Sequence, residues 1–421
     1  MKTNGFLSNT TIEGDIIDIA YQSDYTSTYR LRIDNIDNIS TQDVSSILFI
    51  EVPKNLSIEI NDILIFTGKI LPTLTYPLTG FERYAWKEGI FGKVKITSFE
   101  KKNIGKKTFF SKAQKWSESV LFRGFPRDTA ALLLGMTIGN TELLHSELKK
   151  DFLNSGMTHI LVVSGSNIAF VILLIVFLLK YTGSNKWIRI GVVVLFVFLY
   201  SHLVGWEPPV IRATCMGILT YISLQYQTRI SSIILLLSIG ALYLSFSPNL
   251  LIYDAGFGLS FSATFGILFF HKKIQNYLNG IGLFSVLSDI ISITIGAMLG
   301  SLPVMIFHFG TISIGGILAN ILIAPILGPL LFLSVGYMSL ASLGVSELYY
   351  PGIFVYLPAE AVLMITSFFS EGVQLTIPED YRISLGFTLL GFYSILLIFR
   401  ELSLLIEKDQ IMMKHQEVDP N

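Results

Sequence analysis

Polar residues interrupt the apolar segments of this chain at four places, and the first of them begins at Thr158. The sequence there reads THILVVSGSN, in which a polar, glycine-containing break divides an apolar span. Its candidate site residues are His159, Ser164, Gly165, Ser166 and Asn167. Helix packing through small residues is one explanation of such a break. The alternative is a broken helix, whose amino-terminal amides face a water-filled path and hold an anion.

The second and third places supply a cation and an acid. In PPVIRAT, Arg212 lies one turn inside a span, where an arginine must snorkel to the outer head groups, find a partner or line a cavity. In DAGFGLSFSAT, Asp254 leads into a segment rich in glycine and hydroxyl residues, which suits close helix packing. We expect Asp254 to cap this helix or to pair with Arg212.

The fourth place combines Pro303 and Pro325 with the intramembrane Asn320, and these residues predict kinked helices around a cavity. His308 is interpreted as a satisfied or interfacial histidine, because no second ligand stands beside it at metal spacing. The chain has six scattered histidines and one cysteine. We therefore expect no metal, no cofactor and no catalytic residue.

Composition indicates which elements must position these residues. Of the 421 residues, 51% are hydrophobic and only 14% are charged, against about 25% charged in soluble domains. Residues 1–127 carry 17 basic and 14 acidic side chains, whereas residues 152–399 carry only 16 charged side chains of either sign. The sequence therefore predicts a soluble head and a membrane body.

The head, residues 1–99, contains five segments of alternating polarity bounded by turn residues, and such segments predict strands. The segments are IEGDIIDIA, YRLRIDNI, SILFIEV, DILIFTGKI and GKVKITSF. Five short strands suit a small β-barrel of the oligonucleotide/oligosaccharide-binding (OB) type. A barrel of this class without a ligand is the alternative.

A basic collar, residues 100–127, follows the head. Such a segment beside a membrane meets either lipid head groups or a passing polyanion. Aromatic side chains add stacking against bases. The candidate DNA-binding residues are Lys101, Lys102, Lys106 and Lys107 in the collar and Tyr84 and Trp86 in the head.

The body, residues 128–406, predicts a polytopic α-helical membrane protein with about eight to ten membrane segments, since a span needs roughly 20 apolar residues. The apolar stretches are 157–179, 187–206, 210–226, 230–247, 251–270, 283–308, 312–343, 350–375 and 383–406. Residues 128–140 are less apolar and predict an amphipathic or re-entrant helix. Residues 407–421 are interpreted as a cytoplasmic tail.

Loop charges predict the orientation. If each span crosses, the basic residues between spans fall on one side, which the positive-inside rule makes the cytoplasm. These residues are Lys180, Lys186, Arg189, Arg229, Lys272, Lys273, Arg400, Lys408 and Lys414. We expect a multi-pass protein of the inner (cytoplasmic) membrane, with an extracytoplasmic head and a cytoplasmic carboxyl terminus.

Five short motifs along the body carry a family resemblance. In order, they are THILVVSGSN, PVIRA, DAGFGLSFSATFGI, PVMIFHF and NILIAP. Together they resemble the competence domain of the ComEC family of DNA-uptake channels, over about residues 125–340. The head resembles that family's N-terminal domain more weakly.

The resemblance implies a channel that passes single-stranded DNA inward during natural transformation, with an outer barrel that binds DNA. The implied path residues are His159, Ser164, Gly165, Ser166, Asn167, Arg212, Asp254 and Asn320. Family members usually begin with membrane helices, and many end in a metallo-β-lactamase-like domain; neither pattern is found in this sequence. The expected partners are single-stranded DNA, membrane lipids, a cytoplasmic ATPase or helicase, a DNA receptor and a separate nuclease. An oligomer is compatible with the sequence.

Two other functions fit parts of the sequence. Gly258-Leu259-Ser260-Phe261 has the G-x-S-x form of intramembrane serine hydrolases, with His202 or His308 as the base. Broken helices also occur in transporters of small solutes or lipids.

Overall fold

The computed structural model describes most of the helical body and parts of the head. The described residues are 10–22, 26–36, 39–40, 47–53, 63–72, 90–103, 109–141, 143–228, 230–246, 254–344, 349–372, 374–378, 380–382, 384–386, 388–389 and 391. The chain divides into two compact units. The first unit contains Met1–Phe261 and Gly315–Gly372, and the second contains Ser262–Ile314 and Val373–Asn421.

The head is a β-sheet, as the alternating segments predicted. Its strands are β1 (Thr10–Gln22), β2 (Thr26–Ile36), β3 (Ile39–Ser40), β4 (Ile47–Pro53), β5 (Ile63–Pro72) and β6 (Ile90–Asn103). The five longer strands correspond to the five predicted segments, and the two-residue β3 is additional. Because β1 pairs with both β2 and β5, the pairings form a closed ring in the order β1-β2-β4-β6-β5. Its core contains Ile16, Leu31, Ile50 and Phe66.

Nine helices or helix segments of the first unit follow the head. They are α1 (Phe109–Gly124), α2 (Arg127–Ile138), α3 (Ser146–Asn154), α4 (Thr158–Leu161), α5 (Gly165–Leu179), α6 (Lys186–Val204), α7 (Pro208–Gln225), α8 (Ser232–Phe246) and the first turns of α9 (Ala255–Gly280) among the described residues. Further along the chain, α11 (Gly315–Ser342) and α12 (Tyr349–Ser370) complete this unit. Lys186–Val204, Pro208–Gln225 and Ser232–Phe246 agree with predicted apolar stretches to within a few residues. Phe109–Gly124 and Ser146–Asn154 match no predicted stretch, and Ala255–Gly280 extends ten residues beyond the stretch 251–270.

Helices α5, α6 and α7 pack on one another around Val163, Val193, Val197 and Val210. Short connections join α5 to α6 and α6 to α7, so that successive helices reverse direction. The amino end of α5 therefore lies at the same end as the start of α7, and the other end gathers the α5–α6 loop and the end of α7.

Helix α2 corrects one of the two alternatives predicted for residues 128–140, the amphipathic helix, and the re-entrant helix stays a prediction. Every residue from Thr129 to Ile138 is buried, so the helix has no solvent-facing polar side and is not amphipathic. The run AALLLGM offers apolar side chains in every direction, and α11 and α12 pack on it. The helix ends where Gly139 adopts a left-handed φ of 84° and donates its amide to the Gly135 carbonyl.

The second unit contains the rest of α9, α10 (Ser285–His308) and the paired strands β7 (Thr311–Ser313) and β8 (Gln374–Thr376). Small residues bring α9 and α10 together, as the glycine-rich sequence predicted. A Cβ on Gly266 would lie 2.6 Å from the Gly300 Cα, so that side chains larger than hydrogen do not fit. Pro303 lies inside α10, and Pro325 lies inside α11 of the first unit.

Four helices among the described residues are long and apolar enough to cross a membrane, namely α6, α10, α11 and residues Pro351–Ser370 of α12. Two shorter apolar helices are α5 and α8. The fold is therefore that of a polytopic helical membrane protein. The described residues contain fewer full-length spans than the eight to ten segments predicted, partly because the stretch 157–179 is divided. The stretch 383–406 lies largely outside the described residues.

Candidate functional site

The predicted break within the first polar stretch is present. Helix α4 ends at Leu161, the backbone is extended at Val162 (φ −103°, ψ 142°), and α5 begins at Gly165. The first amides of a helix have no partner inside it, and together they carry about half a positive charge. The break therefore presents an electropositive helix end within a segment that is otherwise apolar.

Hydroxyl groups surround this helix end. The Ser164 Oγ lies 2.5 Å from the Ser166 Oγ and 3.2 Å from the Asn167 Oδ1. Ser164 occupies the N-cap position, yet its side chain makes no capping bond to a backbone amide. The Ser166 side chain is exposed. The two hydroxyls border the space in front of α5, and their hydrogen bonds are to each other and to the Asn167 Oδ1.

Asn167 joins the break to α2. Its Nδ2 donates to the Met136 carbonyl at 2.5 Å, and the side chain is buried. Beside it, the Tyr200 hydroxyl donates to the Thr137 carbonyl at 2.9 Å. Both bonds satisfy carbonyls at the carboxyl end of α2, which have no partner within the helix. Asn167 thus positions the start of α5. The sequence predicted Asn167 as a path residue and did not predict this structural role.

Arg212 lies directly beside the amino end of α5. Its Nη2 is 3.3 Å from the position that a Cβ on Gly165 would occupy, and its Nε donates to the Ser260 Oγ at 2.7 Å. The guanidinium is therefore directed at protein groups of α5 and α9. Of the alternatives for an arginine at this depth, the geometry favours a protein partner over snorkelling to the head groups.

Gly165 makes this approach feasible. An added Cβ would contact the Arg212 guanidinium and would lie 3.4 Å from the Ala213 Cβ on α7. A small side chain at this position requires its neighbours to shift by a few tenths of an ångström, whereas a branched side chain would fill the space. Glycine thus keeps the cation and the helix end close together.

Asp254 caps α9, as expected. Its Oδ1 accepts a hydrogen bond from the Phe257 amide at 3.0 Å, and the side chain is 2% exposed. Carboxylates are favoured at this position because they satisfy amides that the helix leaves unpaired. The capped turn holds Ser260 where its hydroxyl meets Arg212.

His159 and Asn320 contact each other. The two side chains are hydrogen-bonded, and His159 also bonds to the backbone of Gly156. The contact joins α4 to α11, and the His159 side chain is exposed. The eight predicted path residues are thus arranged as three local groups: the Ser164–Asn167 turn, Arg212 with the turn capped by Asp254, and the pair of His159 and Asn320.

The serine-hydrolase alternative requires a base that takes the proton of Ser260. The hydrogen bond described above instead brings the Arg212 guanidinium, a donor, to the Ser260 hydroxyl. His202 Nδ1 accepts from the Trp206 Nε1 at 3.2 Å, and the ring packs against Phe110 at 4.3 Å between centroids. The observed neighbours of Ser260 and His202 therefore do not favour a nucleophile with its base.

The predicted DNA-binding residues of the head and collar are only partly described. The backbones of Lys101 and Lys102 belong to β6, where Lys101 lies opposite Leu64 of β5. Lys106, Lys107, Tyr84 and Trp86 lie outside the described residues.

Sequence reasoning missed two contributors to this site. Ser260 was considered only as a nucleophile, although its hydroxyl accepts the Arg212 bond across 48 positions. Tyr200 carried no signal apart from a hydroxyl in an apolar helix. Hydrogen-bond partners that are so distant along the chain produce no periodic pattern in the sequence, so they could not be predicted from it.

Comparison with known proteins gives a consistent result. The family model "Competence protein" matches residues 136–401. The ComE operon protein 3 of Bacillus subtilis (strain 168) is 26% identical over 200 residues, which are 48% of this chain and 25% of that protein. An uncharacterised protein of Aquifex aeolicus (strain VF5) is 30% identical over 273 residues, which are 65% of this chain and 60% of that protein.

No solved structure matches the chain. The matched regions span a quarter of the first relative and three fifths of the second. The family match extends over more than half of the 421 residues and includes the helix break, Arg212, Asp254 and Asn320. The ordered motifs and the family model agree, and the chain belongs to the competence protein family, as the resemblance to ComEC proteins predicted.

Proposed function

We propose that this chain forms a membrane channel through which single-stranded DNA moves inward during natural transformation. Membership of the competence protein family implies a part in DNA uptake for transformation. The observation that carries the finer proposal is the placement of the Arg212 guanidinium beside the amino end of α5. The role is one of transport, and we assign no catalytic residue, metal or cofactor to it.

A phosphate that crosses hydrocarbon unaided meets a prohibitive desolvation cost, so a DNA channel needs fixed donors along its route. The break supplies hydroxyls from Ser164 and Ser166, the helix end and one full positive charge. Ser260 shares that charge, because its hydroxyl accepts one of the guanidinium N–H groups. The site is therefore attractive to a phosphate yet weak enough for each phosphate to leave again.

We further propose that the head is an OB-like domain outside the membrane and that it binds the strand before import. The closed order β1-β2-β4-β6-β5, with the single parallel pair β4–β6 among the described strands, supports an OB-type barrel. Single-strand binding to such barrels combines basic grooves with aromatic stacking. A cytoplasmic ATPase or helicase, a DNA receptor and a nuclease are the proposed partners.

Binding by the head is tested with salt. If Lys101, Lys102, Lys106 and Lys107 each contact a phosphate, replacing all four with Gln should reduce the slope of log affinity against log salt by about 3. The measurement uses a single-stranded oligonucleotide and the full chain in detergent. An unchanged slope would assign the collar to lipid head groups instead.

The channel itself is tested by filling the break. Gly165→Leu places a branched side chain against the Arg212 guanidinium and Ala213, whereas Gly191→Leu adds the same side chain on α6 where no atom lies within 4 Å of the new Cβ. The assay follows labelled DNA import in a strain in which each variant is the only copy. We expect Gly165→Leu to stop import and Gly191→Leu to retain it.

Membrane insertion and DNA binding at the cell surface serve as controls, because both should survive in either variant. Normal import with Gly165→Leu would remove the break from the path. If the wild type imports a small solute or a lipid but no DNA, the transporter alternative is favoured.

A further inference from the structure

The first unit carries a basic–aromatic patch at the end of α5–α7 that lies opposite the helix break. The patch consists of Lys180, Tyr181, Lys186, Trp187, Arg189 and Tyr226. It combines the end of α5, the first turn of α6 and the residue that follows α7. None of these residues belongs to the DNA path described above.

Ring contacts hold the patch together. The Lys186 Nζ lies 4.5 Å from the centroid of the Tyr226 ring and 5.8 Å from that of the Trp187 ring. The two rings meet edge to face at 5.9 Å. Lysine over an aromatic face is an attractive arrangement, and it fixes the ammonium group without neutralising it. These contacts join the start of α6 and the end of α7, which are distant in sequence, into one surface.

The positive charge of the patch has no acidic counterpart in the segments around it. No Asp or Glu occurs between Asp151 and Glu207, or between Glu207 and Asp254. Glu207 precedes α7 and so lies at the other end of the helices. The Arg189 Nε donates to the Ser184 carbonyl, a neutral group, at 2.8 Å. The patch therefore attracts an anion from outside the chain.

The position of the patch along α6 sets it at the level of the lipid head groups. Helix α6 has 19 residues, which is a length of about 28 Å and close to the thickness of the hydrocarbon layer. Its first residue is Lys186. Tyr181 is 74% exposed and Trp187 is 64% exposed, and aromatic rings of this kind are enriched where hydrocarbon meets head groups.

Apolar side chains continue the surface toward the middle of the helices. Phe177 and Leu178, in the last turn of α5, are 58% and 59% exposed. A ligand that covers both regions must have a negatively charged head and an apolar tail. A polynucleotide has the phosphates but no tail, so the surface fits a lipid better.

We propose that the basic–aromatic patch binds the head group of an anionic phospholipid, with its phosphate at Lys180, Lys186 and Arg189 and its acyl chains along Phe177 and Leu178. Trp187 and Tyr226 hold the Lys186 ammonium at the level of the phosphate. This lipid site is separate from the DNA path and does not depend on it.

The test uses the full chain purified in a neutral detergent and titrated with phosphatidylglycerol or phosphatidylcholine, with thermal unfolding and native mass spectrometry as readouts. We expect phosphatidylglycerol to raise the unfolding temperature and to stay bound, and phosphatidylcholine to do neither. Each basic residue near an anionic lipid surface contributes about 1 kcal/mol, a factor of about fivefold in affinity. The double variant Lys180→Gln/Lys186→Gln should therefore bind phosphatidylglycerol about 25-fold more weakly.

Lys150→Gln is the matched control, because Lys150 is an exposed lysine of α3 outside the patch, and it should keep wild-type lipid affinity. Trp187→Leu should weaken lipid binding while leaving the net charge unchanged. Equal affinity of the double variant and the control would overturn the proposal. A second outcome would also overturn the proposal. If a short single-stranded oligonucleotide displaces bound phosphatidylglycerol from the wild type but not from the double variant, the patch is a nucleic-acid surface.

Discussion

Arg212 places a full positive charge where the amino end of α5 already carries about half a charge. The two act on the same space in front of Gly165, and the Ser164 and Ser166 hydroxyls border it. A phosphate in this space would meet both a dipole and a cation, so we expect that loss of either one weakens the proposed site without abolishing it. Obstruction of the space removes both at once.

We therefore expect Arg212→Ala to reduce DNA import less severely than Gly165→Leu. Arg212→Lys should lie between Arg212→Ala and the wild type, because lysine keeps the charge but lacks the planar fork that reaches α5 and Ser260 together. The measurement is the import rate per folded molecule in cells. Two outcomes would contradict separate roles for the Arg212 cation and the amino end of α5. In the first, Arg212→Ala imports DNA at the wild-type rate. In the second, its import is as low as that of Gly165→Leu.

The sequence predicts this site well only where the signal is local. Ser-Gly-Ser-Asn within an apolar run indicated the break, and an arginine inside a span indicated a partner or a cavity. The bonds that position these residues were not predicted. Asn167 reaches Met136 across 31 positions and Arg212 reaches Ser260 across 48, and only the packed helices bring such residues together.

At the scale of elements, contact between backbones limits which side chains α9 and α10 tolerate. A Cβ on Gly300 would overlap the Ser262 carbonyl and lie 2.7 Å from the Gly266 Cα. The obstacles are backbone atoms, which cannot rotate away. By contrast, nothing lies within 4 Å of a Cβ added to Gly328 of α11.

Gly300→Ala should accordingly lower the free energy of unfolding by about 1–3 kcal/mol, which is the usual cost of overpacking. Gly328→Ala should leave it unchanged or raise it slightly, because alanine is the better helix former. Thermal unfolding in detergent measures both. Equal stability of the two variants would show that α9 and α10 separate at little cost.

Element boundaries were predictable because hydrophobic periodicity and turn residues are local properties. Five strands of the head and the apolar helices followed from them. The burial of α2 did not, since it depends on α11 and α12 covering a short helix from far along the chain. The division of residues 157–179 into α4 and α5 also shortens a span that looked continuous.

At the level of the whole molecule, the basic residues described between α5 and α7 lie at one end of these helices, and they are Lys180, Lys186 and Arg189. Arg229 lies outside the described residues. Lys186 of the α5–α6 loop region contacts Tyr226 beyond α7, so these two connections lie together. If the positive-inside rule applies, that end faces the cytoplasm, and the break and the start of α7 lie toward the outside. This orientation stays a prediction.

Cysteine labelling tests this orientation. With Cys215 replaced by Ser, a cysteine at Asn35 or Asn249 should react in intact cells with a thiol reagent that does not cross membranes. A cysteine at Lys273 should react only after the cells are opened. Labelling at Lys273 in intact cells would reverse the topology and place the head inside.

Photo-crosslinking determines whether the imported strand passes the break at the start of α5. A photoreactive residue replaces Ser166, which is exposed at the break, or Gly191, which is exposed on α6. Each variant is the only copy in a strain that is importing labelled DNA. We expect crosslinks from position 166 to single-stranded DNA and none from position 191. Continued import with equal crosslinking at both positions, or with none at position 166, would contradict this expectation.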